Sequence, residues 1–599
     1  MHSPSDDFSN RGFFLVVFLA TGLASCTSPG KPKAPLIQVP YASNVEVTES
    51  VRRVHEATGR HGIVSTQGKA ATQAARRMFE LHGNAIDAAI AASFAISVER
   101  PQSTGLGGGG FMLFREAKTG QIYAVDFRER APLRATPRMY LDLKGAVIPK
   151  LSTDGILAVA TPGLVAGLLE IHHRFGSLPL ATVVQPAIEL AETGFEIYPS
   201  LADGIAKRRT ILARFPASRA IFLHANGQPL RVGERLIQKD LGKTLRKIAR
   251  EGKRAIYEGQ VRRSILAESG RLRGILGAED FSKYVVHWRE PIRGSFKELE
   301  VVSMPPPSSG GTHVLEVLNL LEPIKLRKMG FLSANAIHWE SSALQHAFAD
   351  RAEYMGDPDF VKVPSVELSS KPYAARLRAE IDPRRATPAG QVKPGALSGT
   401  EVQPESRETT HLSIMDDQGN VVASTQTING RFGSGVVAPG TGIVLNNEMD
   451  DFSATPGSPN LFGAVGGSAN AIAPLKTPLS SMSPTILLRG GQPVMAVGAP
   501  GGTRIISCVA ETILNYFEFG LSLYDSIAAV RFHQQWRPDE ISMDSPGPGA
   551  ATVADLQGRG HHIVLDDDSV YCRVMAVARE GTGFIGVSDP RDAGTVSGW

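Results

Sequence analysis

Cysteine is scarce in this chain, which has only 3 among 599 residues. A small framework held by several disulfides and a metal site with four cysteine ligands are therefore both excluded. Cys508 and Cys572 are able to form one pair, but we expect them to be two buried thiols. The third cysteine, Cys26, follows an apolar run near the N-terminus.

An excess of charge of one sign is also lacking. The chain carries 63 basic and 59 acidic residues, which gives a net charge of +4. In a chain of this size, such a balance excludes the basic footprint of a nucleic-acid-binding protein. The apolar fraction of 42% and the charged fraction of 20% are ordinary for a globular protein with a large core. By length alone the chain would hold about four domains.

A hydrophobic run long enough to span a bilayer is missing near the N-terminus. The run at 13–24 has about 12 residues, where a spanning helix needs about 20. Its length suits a secretory signal, and the Leu-Ala-Ser-Cys sequence that ends at Cys26 resembles bacterial lipoprotein signals. We expect residues 1–26 to be this signal, with a lipid on Cys26, and residues 27–44 to be a tether. The alternative is a plain cleaved signal with an incidental cysteine. Both alternatives imply that the mature protein is exported, and we expect a lipid-anchored protein in the periplasm.

Familiar hydrolase motifs are absent as well. Gly-x-Ser-x-Gly and His-Glu-x-x-His do not occur, and the adjacent histidines at 172–173 and 561–562 would point apart. We therefore expect neither a metal nor a cofactor. The glycines at 105, 107 and 110 formally match a dinucleotide-binding fingerprint, but a strand-like segment follows them where a helix is needed.

The first part of the chain is predicted to contain helices and two short strands, at 111–116 and 121–127. Helical periodicity predicts a helix over 69–82, and Asn84 is predicted to cap a second helix that is rich in small residues. Residues from about 185 to 350 are predicted to be mostly helical. The Pro-, Gly- and polar-rich stretch at 387–406 is predicted to be an exposed linker.

Strands prevail after this linker. Alternating segments at 411–415 and 421–427 predict one hairpin, and two more strands bracket the turn at 489–491. A helix is predicted to begin at about Thr503, after Gly501 and Gly502. Strands flanked by helices in both halves of the chain predict a layered α/β sandwich.

The linker meets the first of these strands at Glu408-Thr409-Thr410-His411. A threonine hydroxyl is a weak nucleophile until a base takes its proton. A threonine at a chain N-terminus carries its own base, the α-amine, whose pKa is about 8. Cleavage of the Glu408–Thr409 bond would create that arrangement, and the alternative is a plain junction between a linker and an edge strand.

This junction resembles the processing site of the γ-glutamyltranspeptidases, which belong to the N-terminal nucleophile hydrolases. Motifs over roughly residues 45–595 resemble the same family in order: Arg100-Pro101, 126–129, 304–311, 356–359, 446–452, 478–484, 501–504, 531–536 and 588–591. The resemblance implies a four-layer αββα fold and self-cleavage into a large subunit, 45–408, and a small catalytic subunit, 409–599. A flexible linker at 385–408 would precede the cut.

The resemblance also implies an activity and a role for individual residues. Thr409, assisted by Thr427, would take the γ-glutamyl group from donors such as glutathione and pass it to water or to an acceptor amino acid or peptide. The backbone N–H groups of Gly501 and Gly502 would stabilise the oxyanion. The residues that match the family's substrate-binding positions are Arg128, Ser480 and Ser481 for the α-carboxylate, and Asn429, Glu448 and Asp451 for the α-amine.

One position departs from the pattern of some bacterial members. Phe462 stands where a lid loop carries a tyrosine in those proteins, so the ring is kept and the hydroxyl contact is lost. The main alternative function is a glutaryl or cephalosporin acylase of the same fold, whose substrates lack the α-amine. A capsule-type poly-γ-glutamate transferase and an unprocessed binding protein are further alternatives, and the intact Glu408-Thr409 pair argues against the last.

Overall fold

Two antiparallel sheets of seven strands each lie at the centre of the computed structural model. The structure describes residues 37, 39–46, 48–395, 408–453, 467–566 and 572–599. Val39–Trp599 forms one compact unit instead of the several domains suggested by length. The signal, Cys26, Phe462 and residues 396–407 of the linker lie outside the described residues.

The first sheet contains the strand that follows the proposed cleavage site. Its strands lie in the order Thr595–Gly598, Gly62–Thr66, Thr410–Asp416, Val421–Thr427, Gly109–Arg115, Ile122–Asp126 and His287–Arg289. Every residue of Thr410–Asp416 is buried, because the second sheet covers one face of this strand and helices cover the other. The two predicted strands of the hairpin are confirmed as neighbours, with Thr410 opposite Gln426.

The second sheet packs face to face on the first. Its strands lie in the order Glu56–Gly59, Gly583–Ser588, Met575–Glu580, Gln492–Gly498, Thr485–Arg489, Leu299–Ser303 and Ile292–Phe296. Gly490 and Gly491 make the predicted turn with φ values of 56° and 78°, a backbone region that favours glycine. The described residues also form two small sheets. One has the two strands Phe195–Glu196 and Arg235–Leu236, and the other has the three strands Phe532–His533, Ile541–Asp544 and Ile563–Asp566.

Helices cover the outer face of each sheet. Lys69–Glu80 and Ala85–Glu99 pack on the first sheet, and Gly310–Leu321 and Arg504–Ile513 pack on the second, which confirms the αββα order. The remaining α-helices are Glu49–His55, Leu164–Phe175, Leu180–Thr193, Pro199–Lys207, Arg209–Arg214, Pro216–Phe222, Lys239–Glu251, Arg254–Tyr257, Gln260–Arg271, Ala278–Ser282, Leu326–Met329, Ala334–Tyr354, Ser365–Leu368, Lys371–Glu380, Leu523–Ala528 and Ala550–Gly558. Among the described residues, none of these helices is long and apolar enough to cross a membrane.

The helix Ala85–Glu99 shows how local sequence fixes this architecture. Asn84 caps it as predicted: its side chain accepts from the N–H groups of Ile86 and Asp87, and the Asp87 carboxylate accepts from the N–H of Asn84. All fifteen residues of the helix are buried. Its many alanines allow close packing between the first sheet and the neighbouring helices.

Two predictions of local structure have different outcomes. The region 185–350 is mostly helical as predicted, and Ile292–Phe296 and Leu299–Ser303 form a hairpin within it at the edge of the second sheet. The predicted exposed linker is packed at its start, since Ala389 and Val392 are buried and their carbonyls accept from the Trp536 indole N–H.

The prediction of two free thiols is wrong, because Cys508 and Cys572 form a disulfide. Cys508 lies on the helix Arg504–Ile513 and Cys572 shortly precedes the strand Met575–Glu580, with 6.6 Å between their Cα atoms. Composition suggested buried thiols, and both residues are indeed fully buried. Their proximity depends on the packing of a helix on a sheet, which no local pattern encodes. Closing a loop of 64 residues stabilises a fold by about 4 kcal/mol on the chain-entropy model.

Candidate active site

Thr409 lies at the head of the central strand Thr410–Asp416, and it is 5% exposed. Because Thr410 pairs with Gln426, the register places Thr409 beside Thr427. The Thr409 hydroxyl donates to the Thr427 hydroxyl at 3.4 Å, and Thr427 donates to the Glu408 carbonyl oxygen at 2.6 Å. The backbone N–H of Asn429 donates to the same Thr427 oxygen at 2.8 Å.

The Thr427 hydroxyl thus makes one hydrogen bond on each side of the Glu408–Thr409 bond. It accepts a hydrogen bond from the Thr409 hydroxyl, and it donates one to the Glu408 carbonyl oxygen. One group therefore holds a hydroxyl and the preceding carbonyl next to each other. The prediction that Thr427 hydrogen-bonds Thr409 is confirmed by this geometry.

His411 lies on the strand that Thr409 precedes, and both of its ring nitrogens contact hydroxyl groups. Its ring nitrogens contact the hydroxyls of Thr425 and Ser413 at 2.7 and 3.0 Å. Burial lowers the pKa of His411 to about 3, so the ring is neutral. After a cut before Thr409, the α-amine of that residue would be the available base.

Arg128 follows the strand Ile122–Asp126 and lies at the centre of a buried ionic cluster. Its guanidinium donates to Glu448 Oε1 at 2.5 Å and to Asp451 Oδ2 at 2.6 Å. It also donates to the carbonyls of Pro478 and Leu479, both at 3.0 Å. Arg128, Glu448 and Asp451 are each at most 2% exposed. The structure thus brings together three of the predicted binding residues, with the planar fork of Arg128 between two carboxylates.

The loop that carries Ser480 and Ser481 is braced by the motif at 304–311. The Ser480 carbonyl accepts from the N–H and the hydroxyl of Ser309 at 2.7 and 2.8 Å. Arg351 in turn donates to the Ser309 hydroxyl at 3.0 Å. Together these hydrogen bonds hold the loop that carries Ser480 and Ser481 in place beside Arg128, which gives the motif at 304–311 a structural role.

Asn429 links the Thr409 region to the Arg128 cluster. Its side-chain amide donates to the Asn447 carbonyl at 2.9 Å, and Asn447 directly precedes Glu448. Asn429 Oδ1 and Ser481 Oγ are buried and have no hydrogen-bond partner among the described residues. Buried polar atoms without partners are costly, so these two atoms point to a polar ligand.

Gly501 and Gly502 follow the strand Gln492–Gly498 of the second sheet. Their φ values of 148° and 61° lie in the region that favours glycine. A side chain at Gly498 would collide with the ring of His411, so this strand end lies against the strand that Thr409 precedes. The helix Arg504–Ile513 begins two residues after Gly502 and directs its N-terminal dipole toward this turn.

Two functional candidates were missed by sequence reasoning. Glu129 is fully buried beside Arg128, and burial raises its pKa to about 7 against the opposing effect of the Arg128 guanidinium. A side chain at Gly109 would collide with the Glu129 carboxylate, which explains one glycine of the run. Arg431 donates to the Glu408 carboxylate at 2.8 Å. Because Glu129 belongs to the motif 126–129, its place in that motif could have indicated a role at the site. No local sequence pattern indicates a role for Arg431.

Within the part of the chain that the structure describes, no group of three or more His, Cys, Asp or Glu side chains is arranged to hold a metal ion. The groups that meet around Thr409 and Arg128 are hydroxyls, a guanidinium, carboxylates and backbone N–H groups.

Comparison with known proteins places this geometry in context. The family model described as gamma-glutamyltranspeptidase matches residues 71–599. The chain is 42% identical over 569 residues to the glutathione hydrolase proenzyme of Escherichia coli K12, with 95% of each chain covered. A cephalosporin acylase from Bacillus halodurans has a TM-score of 0.80 at 27% identity, covering 96% of this chain and 99% of that one. A Helicobacter pylori gamma-glutamyltranspeptidase has a TM-score of 0.54 at 40% identity, covering 55% and 93%.

Proposed function

The chain belongs to the γ-glutamyltranspeptidase family, and on that premise we propose that Thr409 is the nucleophile of a glutathione hydrolase and γ-glutamyltransferase. The γ-glutamyl donors include glutathione, and the acceptors are water, amino acids or peptides. The observation that carries this proposal is the buried pairing of Arg128 with Glu448 and Asp451, which Asn429 and Thr427 connect to Thr409.

The first step is cleavage of the chain before Thr409. The Thr409 hydroxyl oxygen adds to the Glu408 carbonyl carbon, the C–N bond breaks, and the nitrogen takes a proton to become the amine. Water then adds to the resulting ester and breaks its C–O bond, leaving a carboxylate on Glu408 and a free hydroxyl on Thr409. The products are a large subunit that ends at Glu408 and a small subunit, 409–599.

The mature enzyme repeats this chemistry on a γ-glutamyl amide. Thr409 Oγ attacks the γ-carbonyl while its own α-amine takes the proton. The amine of the donor leaves with that proton, and a γ-glutamyl ester remains on Thr409. Water or an acceptor amine resolves the ester. The backbone N–H groups of Gly501 and Gly502 stabilise the oxyanion of both steps.

The ionic cluster suits a zwitterion because it permits an exchange of partners without a change in net charge. The substrate α-carboxylate takes the place of an acidic side chain on Arg128, and the α-ammonium takes the place of Arg128 on Glu448 and Asp451. Asn429 Oδ1 and Ser481 Oγ, both buried without partners among the described residues, complete the contacts of the ligand. Desolvated charges are therefore never left unpaired.

Substrate choice tests this proposal against the acylase alternative. A γ-glutamyl anilide and a glutaryl anilide differ only in the α-amine. We expect kcat/KM for the glutaryl compound to be lower by at least about a hundredfold, because the acidic groups would stay unpaired. Release of aniline from both substrates, measured with the same enzyme preparation, decides the question. Equal rates would favour an acylase, the function named for the Bacillus halodurans structure.

Glu129 predicts a pH dependence of donor binding. As pH rises through about 7, Glu129 loses its proton and adds a negative charge beside the cluster that receives the α-ammonium. The KM for a γ-glutamyl anilide should therefore fall between pH 6 and 8. Glu129→Gln should remove this change in KM, whereas the pH dependence of kcat, which reports the Thr409 amine, should remain. A KM profile that is the same in both proteins would contradict this role.

We place the mature enzyme outside the cytoplasm, in the periplasm, with a lipid on Cys26 as its anchor. The short apolar run at 13–24 and the disulfide support export, since disulfides persist in oxidising compartments.

A further inference from the structure

Arg431 holds the residue whose peptide bond is to be cut. Its Nε donates to Glu408 Oε1 at 2.8 Å, and its Nη1 donates to Asp203 Oδ2 at 2.8 Å. The side chains of Arg431 and Glu408 are 25% and 14% exposed, so water screens this pair less than a surface pair. Asp203 lies on the helix Pro199–Lys207 and binds the guanidinium from another side.

The backbone around Arg431 is fixed on both sides. The N–H of Gly430 donates to Asn447 Oδ1 at 2.8 Å, and the N–H of Phe432 donates to the Gln102 carbonyl at 2.9 Å. The Phe432 ring is fully buried, with its centroid 4.8 Å from that of Phe222. The fixed backbone and the bond to Asp203 therefore hold the Arg431 guanidinium in position independently of Glu408. Little conformational entropy is lost when Arg431 and Glu408 pair.

Glu408 is consequently held at two points. Arg431 binds its side chain, and the Thr427 hydroxyl binds its carbonyl oxygen at 2.6 Å. Ser103 adds a longer contact, 3.4 Å, to the other carboxylate oxygen. With both ends held, rotation about the Glu408 backbone is restricted, and the carbonyl carbon stays within reach of the Thr409 hydroxyl. Orientation of this kind is a large part of the acceleration in reactions within one molecule.

We propose that Arg431, supported by Asp203, is a positioning residue for self-cleavage that orients the Glu408 carbonyl through the Glu408 side chain. The inference rests on the proposed function, since it requires the cut before Thr409. It adds a contact between the future subunits, because Asp203 and Glu408 belong to the large one and Arg431 belongs to the small one.

Cleavage kinetics of newly translated precursor test this inference. We expect Arg431→Ala to slow the appearance of the two fragments on a denaturing gel by about tenfold to a hundredfold, and Arg431→Lys to recover part of the rate. Arg208→Ala is the matched control. Arg208 pairs with Asp154 at 2.8 Å, the two side chains being 23% and 13% exposed, and its guanidinium also donates to the Gly433 carbonyl at 3.1 Å instead of to Glu408. This control should be cut within about twofold of the wild-type rate.

A double-mutant cycle separates positioning from general loss of structure. In a Glu408→Ala background, removing Arg431 should have no further effect, because its partner is already gone. Glu408→Gln keeps the shape of the side chain and removes its charge, so this variant should also be cut slowly. It provides the test of the ion pair if Arg431→Ala does not fold. The inference is overturned if Arg431→Ala is cut as fast as Arg208→Ala, or slows cleavage equally with and without Glu408. A wild-type chain that is never cut would instead refute the proposed function.

Discussion

A Thr409→Ala variant is expected to remain a single uncut chain and to release no amine from γ-glutamyl substrates. The substitution removes the hydroxyl that would attack Glu408 in the precursor and the γ-carbonyl in the mature enzyme. The same change therefore abolishes both reactions, and turnover should fall by about 10⁴-fold or more. A denaturing gel, N-terminal sequencing of the smaller wild-type fragment and an anilide assay provide the three measurements.

The exposed Thr582 supplies a control of identical chemistry. Thr582→Ala should be cut and active like the wild type, because this side chain lies in a turn between two strands far along the chain. The assignment of the nucleophile is wrong if Thr409→Ala yields the two fragments. It is also wrong if the smaller wild-type fragment begins at a residue other than Thr409.

Arg128→Lys is expected to lower kcat/KM for a γ-glutamyl anilide by about a hundredfold or more. Lysine keeps the positive charge that Glu448 and Asp451 require, so the fold should survive. It lacks the planar fork that reaches both carboxylates and the carbonyls of Pro478 and Leu479 at once. Both the substrate carboxylate and the loop that carries Ser480 should consequently be held less well.

Arg130→Lys is the matched comparison two residues away. Arg130 donates to the Val285 carbonyl at 2.8 Å and lies over the Tyr284 ring. It should lose little kcat/KM, and thermal melting of both variants should show a similar small loss of stability. An Arg128→Lys enzyme with unchanged kcat/KM would exclude Arg128 from substrate binding.

Sequence patterns predicted those parts of the molecule that depend on neighbours along the chain. The cap at Asn84, the hairpin that joins Thr410–Asp416 to Val421–Thr427, and the glycine turn at 490–491 all follow from local chemistry. The hairpin register then sets Thr409 opposite Thr427, so even this part of the site was within reach of sequence reasoning.

What the sequence could not reveal are contacts between distant segments. The disulfide joins residues 64 positions apart, and the pairing of Arg431 with Asp203 spans 228 positions. The raised pKa of Glu129 arises from burial by several elements at once. The hairpin from Ile292–Phe296 to Leu299–Ser303 interrupts a region predicted to be mostly helical, and pairing with the distant strand Thr485–Arg489 stabilises it.

The order of strands in the first sheet has a consequence for refolding. Thr410–Asp416 lies between Gly62–Thr66 on one side and Val421–Thr427 on the other, so strands from before and after the proposed cut alternate in one hydrogen-bonded layer. The uncut chain refolds as one molecule, at a rate independent of concentration. Once cut, the same sheet can reform only when two separate polypeptides meet, so recovery after melting becomes a second-order process that dilution suppresses. We therefore expect the uncut precursor to refold at dilutions at which separated subunits reassociate too slowly to recover.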